Sequence, residues 1–207
     1  MTYQELINNI RDLGFGEDSD ITDFGDAVPN GINRAISIIA ETYPVIERYE
    51  FDIEGTETGY VYITMPDEDD NFLDFAQTPV LFAETSSEGE KSRYTKFNDF
   101  EIEAGDTVVI NADNVTNGGK MGDTTYTFRI FYKADPEKFD GRQLGDDIPL
   151  PRKAHHLVPL LASYYIWLDD EPVKAAQYYN QYETSLVNLE TRSSDNKPRV
   201  RILSGGI

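Results

Sequence analysis

The chain has 207 residues, 39% of them hydrophobic and 12% aromatic, with a formal net charge of −20 at pH 7. That supplies apolar surface for one good core or two small ones, while the complete lack of cysteine excludes disulfides, thiol catalysis and thiolate metal sites. The negative field repels phosphates and excludes conventional DNA wrapping or sequence reading.

No stretch approaches the roughly 20 apolar residues that cross a bilayer, and the amino terminus lacks a basic start followed by an apolar run, so the expectation is a soluble, unexported chain with no membrane partner. The acid is uneven. Residues 1–50 carry 3 basic and 10 acidic side chains, residues 51–135 carry 6 and 18, and residues 136–207 carry 9 and 10.

Thr2 opens a capping box with Glu5, which predicts a short first helix with Leu6, Ile7, Ile10 and Leu13 on one face and Gly14 and Gly16 at its end. An acidic loop over residues 17–26 leads to Val28 and Pro29, where a second helix starts. It buries Ile32, Ala35, Ile36, Ile39, Ala40 and Tyr43 before Pro44 stops or bends it. From about Ile46 the period falls to two, with Tyr60, Tyr62 and Thr64 alternating against Val61, Ile63 and Met65. Strands are predicted over 48–53, 60–65, 80–83, 100–103, 108–110 and 126–132. Turns rich in Asn, Gly and Asp separate them, among them Asn117-Gly118-Gly119. The Asn114-Val115-Thr116 sequon reads as a polar turn.

Residues 149–190 then read as two amphipathic helices. The first carries Leu157, Leu160, Leu161, Tyr164, Tyr165 and Leu168 on one face, and the second continues a stripe of Ala176, Tyr179, Tyr182, Leu186 and Leu189. Asp169-Asp170-Glu171-Pro172 between them offers a capping oxygen and a proline for the first turn, giving an antiparallel hairpin. Neither helical part has enough apolar surface for a core alone, so they pack together. The expected fold class is α+β, a small antiparallel helical bundle with an inserted antiparallel β-sandwich or barrel domain. Its parts are an N-terminal helical part (1–45), the β insertion (46–135), a C-terminal helical hairpin (136–192) and an extended basic tail (193–207).

Candidate chemistry is sparse. His155 and His156 are adjacent and point about 100° apart on a helix, so they do not share a metal. No Ser-His-Asp set or Gly-rich phosphate loop is present. The runs Asp67-Glu68-Asp69-Asp70 and Asp18, Asp20, Asp23, Asp26 both miss the EF-hand template. The reading is a chain that is not an enzyme, with no catalytic residue, no metal and no cofactor. The aromatics Tyr164, Tyr165, Trp167, Tyr178, Tyr179 and Tyr182 are too many for one hairpin to bury. Some serve the core, and the subunit-interface candidates are Tyr164, Tyr165, Trp167, Tyr178 and Tyr182, with Arg34 as either an interface residue or a surface salt bridge. Lys197, Arg199 and Arg201 make the tail basic, which fits either a frayed terminus or an arm that pairs with an acidic neighbour.

The run HHLVPLLASYYIWLDDEPVKAAQYYNQYE over residues 155–183 resembles the C-terminal helices of head-to-tail adaptor (connector) proteins of tailed bacteriophages. Those chains pair an apolar helix ending in an aromatic-acidic cluster, here Trp167-Leu168-Asp169-Asp170-Glu171, with a tyrosine-rich helix of the Lys174-Ala175-Ala176 kind. The resemblance covers the two terminal helices and, more weakly, the N-terminal helical part. It implies a structural protein of the virion neck, made in the host cytoplasm, that forms a homo-oligomeric, dodecameric ring under the portal and extends the DNA channel from capsid to tail. Its partners would be the portal protein and further neck or tail proteins, with DNA only as cargo. The portal-docking candidates it implies are Lys197, Arg199, Val200, Arg201 and Ile202. A rival reading makes the β insertion a carbohydrate- or receptor-binding module, with Tyr60, Phe72 and Phe75 stacking on sugars beside calcium-binding acidic residues. A carboxylate-pair hydrolase ranks last, for want of a local signature.

Overall fold

The structure, a computed structural model, describes residues 1–14, 25–65, 72–75, 81–84, 94–121 and 124–195, and side chains for these except 81–84, 94 and 192–195. In chain order the elements are α1 (Tyr3–Gly14), α2 (Ala27–Thr42), β1 (Val45–Glu54), β2 (Tyr60–Thr64), β3 (Phe72–Phe75), β4 (Leu81–Glu84), β5 (Tyr94–Phe97), β6 (Phe100–Glu103), β7 (Thr107–Asn111), α3 (Ala112–Thr116), β8 (Thr125–Ala134), α4 (Val158–Trp167) and α5 (Pro172–Asp195), with a 3-10 helix over Arg152–Leu157 before α4. The class is α+β, and every strand pair is antiparallel. The chain divides into two compact units, one made of Met1–Tyr43 with Lys138–Ile207 and one of Pro44–Glu137.

In the first unit α4 packs against α1, α2 and α5. The capping box at α1 forms as its sequence predicts: the Glu5 amide donates to Thr2 Oγ1 at 3.2 Å and the Thr2 amide donates to Glu5 Oε2 at 3.0 Å. Leu6 and Ile10 are fully buried, whereas Leu13 is exposed. Helix α2 buries Ile32, Ala35, Ile36 and Ile39, and it ends just before Tyr43-Pro44. The connection from 138 to 150 is fastened to both helices. The Asn33 carboxamide clamps the Phe139 backbone from both sides, accepting its N–H at 2.8 Å and donating to its carbonyl at 2.9 Å, and the Phe139 ring stacks on Tyr3 at 4.3 Å.

The two C-terminal helices correct the expected stripes. Val158, Leu161, Ala162, Ser163, Ile166 and Trp167 of α4 are all buried, while Leu160, Tyr164, Tyr165 and Leu168 are only half-buried. A helix enclosed by three others has no single apolar face to read. On α5 the buried line is Ala175, Tyr178 and Tyr182, continued by half-buried Leu186 and Leu189, and Ala176 and Tyr179 are exposed. Helices α2 and α4 approach closely at Gly31, where a Cβ would stand 2.8 Å from Ile166 Cγ1 and 3.2 Å from the Ala162 carbonyl oxygen.

In the second unit β1 and β8 pair over ten residues, from Val45 opposite Ala134 to Glu54 opposite Thr125. Strand β8 also pairs β4, which pairs β5, and β3 adds beside β8 at Phe72–Phe75. A separate sheet runs β2-β7-β6. Ile53, Phe128 and Ile130 from the first sheet and Val108 and Ile110 from the second share one apolar cluster. Neither sheet closes on itself among the described residues. The sequon correction is local: Asn114, Val115 and Thr116 belong to α3, capped by the Asn111 side chain on the Asp113 amide. Thr116 is fully buried, with its hydroxyl 2.8 Å from the Glu57 carbonyl. Asn117, Gly118 and Gly119 then follow in left-handed conformations (φ 53°, 66° and 73°), which two glycines and an asparagine adopt at least cost.

Gly31→Val is expected to lower unfolding stability by about 1–3 kcal/mol, because the rigid Ala162 carbonyl cannot give way as a side chain could; urea denaturation followed by far-UV circular dichroism measures it.

Candidate subunit interface

At the far end of α1 the last carbonyls lack intrahelical donors, as in any helix. Helix α5 supplies them. Lys174 Nζ donates to the Gly14 carbonyl at 2.7 Å and the Tyr178 hydroxyl donates to the Leu13 carbonyl. The same ammonium lies 3.3 Å from the centre of the Trp167 ring, so one cation meets a helix C-terminus and an aromatic face together. Trp167, Tyr178 and Tyr182 are 7%, 6% and 7% exposed within the chain, so their rings are spent on this packing. Burial is the main cause that raises the Tyr178 and Tyr182 hydroxyls above their ordinary pKa.

A second set of rings stays at the surface. The Arg34 guanidinium, on the exposed side of α2, lies 4.2 Å from the centre of the Tyr165 ring. Tyr165 neighbours Tyr164 at 4.8 Å, Tyr164 neighbours Tyr179 at 5.0 Å, and Tyr179 leads to Tyr182 at 6.0 Å. The row thus runs from a cation on α2, across α4, to α5. Its hydroxyl at Tyr179 donates to the Glu183 carboxylate, which raises its pKa above the usual phenol value. Beside Arg34 a cleft of about 460 Å³ is lined by Ala27, Asn30, Gly31, Tyr165, Asp169 and Asp170. Arg34 makes no ion pair among the described residues, so a guanidinium and two carboxylates are left open to a neighbour.

The other candidates separate cleanly. Lys197, Arg199, Val200, Arg201 and Ile202 lie outside the described residues, as do Asp18, Asp20, Asp23 and the run from Asp67 to Asp70. Of the sugar-stacking set, Phe75 is 5% exposed and Phe72 packs on it at 5.1 Å, so both serve the core of the second unit, and all three residues stand on strands rather than loops. Only Tyr60 is open. Among the described residues no three His, Asp or Glu side chains converge as a metal site. His155 and His156 lie on the 3-10 helix, and His155 is turned inward: its Nε2 stands 2.7 Å from the Leu150 carbonyl, which assigns the proton to that nitrogen, and its Nδ1 stands 3.2 Å from the Met1 nitrogen.

The residues missed by sequence reasoning are Asn33, Lys174 and Phe139. Asn33 and Lys174 act on backbone groups more than 100 positions away, and Phe139 supplies the backbone that Asn33 holds; no local signal marks such partners.

The profile of one family, described as SU10 adaptor protein, matches residues 1–202, nearly the whole chain. The chain belongs to this family. It is therefore a bacteriophage adaptor, a structural component of the virion rather than a member of an enzyme class. No curated protein matches the chain. As an adaptor it acts by contact with portal and tail proteins in general, and the surface row from Arg34 to Tyr179 is the kind of aromatic and guanidinium patch that interfaces favour.

Two outcomes test the geometry. Tyr178→Phe removes the donor to Leu13 and is expected to cost about 1 kcal/mol in chemical denaturation. Burial lowers the His155 pKa against the opposing pull of the Leu150 carbonyl, so the folded state binds fewer protons than the unfolded chain. That stabilising contribution is complete above the ordinary imidazole value of about 6.5 and is lost as pH falls from there through the lower folded-state value. Thermal unfolding between pH 7.5 and 5.5 is expected to show a falling midpoint that His155→Gln flattens.

Proposed function

We propose that this adaptor forms a closed ring, dodecameric as in the head-to-tail adaptors it resembles, seated under the portal at the virion neck, extending the DNA channel and joining capsid to tail. Family membership over residues 1–202 carries the reading. A ring is a heterologous interface that closes by rotation, so each copy needs two different complementary patches. The row of Arg34, Tyr165, Tyr164 and Tyr179 with its zwitterionic cleft is one of them. Trp167, Tyr178 and Tyr182 support it from within, holding α4 and α5 in the rotation that presents the row.

The acidic excess fits a channel wall. Carboxylates repel the DNA backbone and reduce sticking while a genome passes. The second unit is read as a two-sheet sandwich, supported by the apolar cluster that β1, β8 and β7 share. Residues 193–207 are read as an arm, whose cations at 197, 199 and 201 suit an acidic receptor outside their own fold.

Arg34→Glu is expected to abolish ring assembly, read by mass photometry of the purified chain with and without portal protein, while the monomer stays folded, since losing an exposed cation–π contact with Tyr165 costs only about 1 kcal/mol. A ring that survives Arg34→Glu would remove this patch from the interface, and a wild-type chain that stays monomeric beside its portal would remove the ring.

A further inference from the structure

The outer face of the β2-β7-β6 sheet is unlike the rest of the described surface. Tyr60 and Tyr62 are 66% and 60% exposed, the two most exposed aromatic side chains among the described residues. Across β7 the register places Glu101 in the row of Tyr62 and Glu103 in the row of Thr64. No Lys or Arg occurs in 60–64 or 98–111, so nothing on these strands neutralises the carboxylates. Beyond β6 no strand pairs with the sheet among the described residues. Two exposed rings on β2 and two exposed carboxylates on β6 therefore repeat every second residue, about 7 Å apart, on either side of buried Val109.

One segment of the chain carries the complementary period. In residues 197–202 the cations Lys197, Arg199 and Arg201 alternate with Pro198, Val200 and Ile202. Extended, such a sequence sets its cations at the same spacing of about 7 Å on one side, where a ring face and a carboxylate both attract them. In sequence Lys197 follows Asp195, the last residue of α5, by two positions.

We propose that the basic segment 197–201 of one copy docks on the Tyr60, Tyr62, Glu101 and Glu103 face of a second copy. This rests on the ring reading and deepens it: segment and face are two different patches of one chain, as a closing heterologous contact requires. The portal, the receptor that the adaptor resemblance implies for these residues, is the competing occupant.

Because the chain has no cysteine, introduced thiols report without background. Thr64→Cys in one copy and Leu203→Cys in a differently tagged second copy leave both tyrosines and all three cations in place. Mixed and oxidised, they are expected to form the mixed disulfide at least about tenfold faster than Val173→Cys with Leu203→Cys, since docking raises the effective concentration of the thiols; Val173 is 78% exposed on α5 and serves as the collision control. Glu101→Lys with Glu103→Lys is expected to return the rate to the control. Equal rates overturn the docking. So does a Thr64→Cys, Leu203→Cys double variant that closes only within its own chain, or capture of Leu203→Cys by a cysteine-scanned portal in preference to Thr64→Cys. Mass photometry of the same mixture separates the readings: rings without the disulfide overturn the docking alone, and monomers without it overturn the ring as well.

Discussion

Helix α4 has to be covered along most of its circumference, and the first unit packs three helices against it to do so. From Val158 to Trp167 it offers water almost no polar side chain, and Ser163 is itself fully buried. The covering helices come from both ends of the chain: α1 and α2 precede the β strands, and α5 follows. Hydrophobic burial brings them together without specifying rotation or depth. Direction comes from a few polar contacts at the margins, where Lys174 and Tyr178 satisfy the last carbonyls of α1 and Asn33 clamps Phe139. At Gly31 the packing is close enough that a missing side chain becomes a requirement.

That division of labour decides what is left outside. Once Trp167, Tyr178 and Tyr182 have been used to close the core, the remaining rings are those of Tyr164, Tyr165 and Tyr179, joined to Arg34. They carry no net charge beyond the guanidinium, in a protein whose surface is otherwise dominated by carboxylates. An assembly built from such subunits gains specificity by bringing its few cations and rings against an acidic background, because like-charged faces penalise wrong docking.

The sequence was legible where interactions are local. Thr2 and Glu5 are three residues apart, and the box they form is visible in the text of the chain. The alternation of Tyr60, Val61, Tyr62 and Ile63 likewise appears directly as burial. Four-residue strands such as β3 and β5 are too short for a period of two to stand out, and α3 is a five-residue helix written in turn-forming residues. The stripe of α5 is displaced by one residue, from Ala176 and Tyr179 to Ala175 and Tyr178. In a run of Tyr178-Tyr179 either phase is equally apolar, and the choice is made by a carbonyl of Leu13 on another helix. The interface row was visible as an excess of tyrosines, while which of them face outward was not.

The pairing of β1 with β8 has a consequence for the continuity of the helical part. The strand that opens the second unit and the strand that closes it are hydrogen-bonded neighbours from Val45 and Ala134 onward, so the backbone enters and leaves this unit through points about 5 Å apart. Replacing everything between them by another domain, or by a short turn, asks the flanking helices for almost no loop-closure entropy. The hydrogen-bonded ladder of β1 and β8 is thus what lets a 94-residue β unit, Pro44–Glu137, interrupt the helical part at little entropic cost.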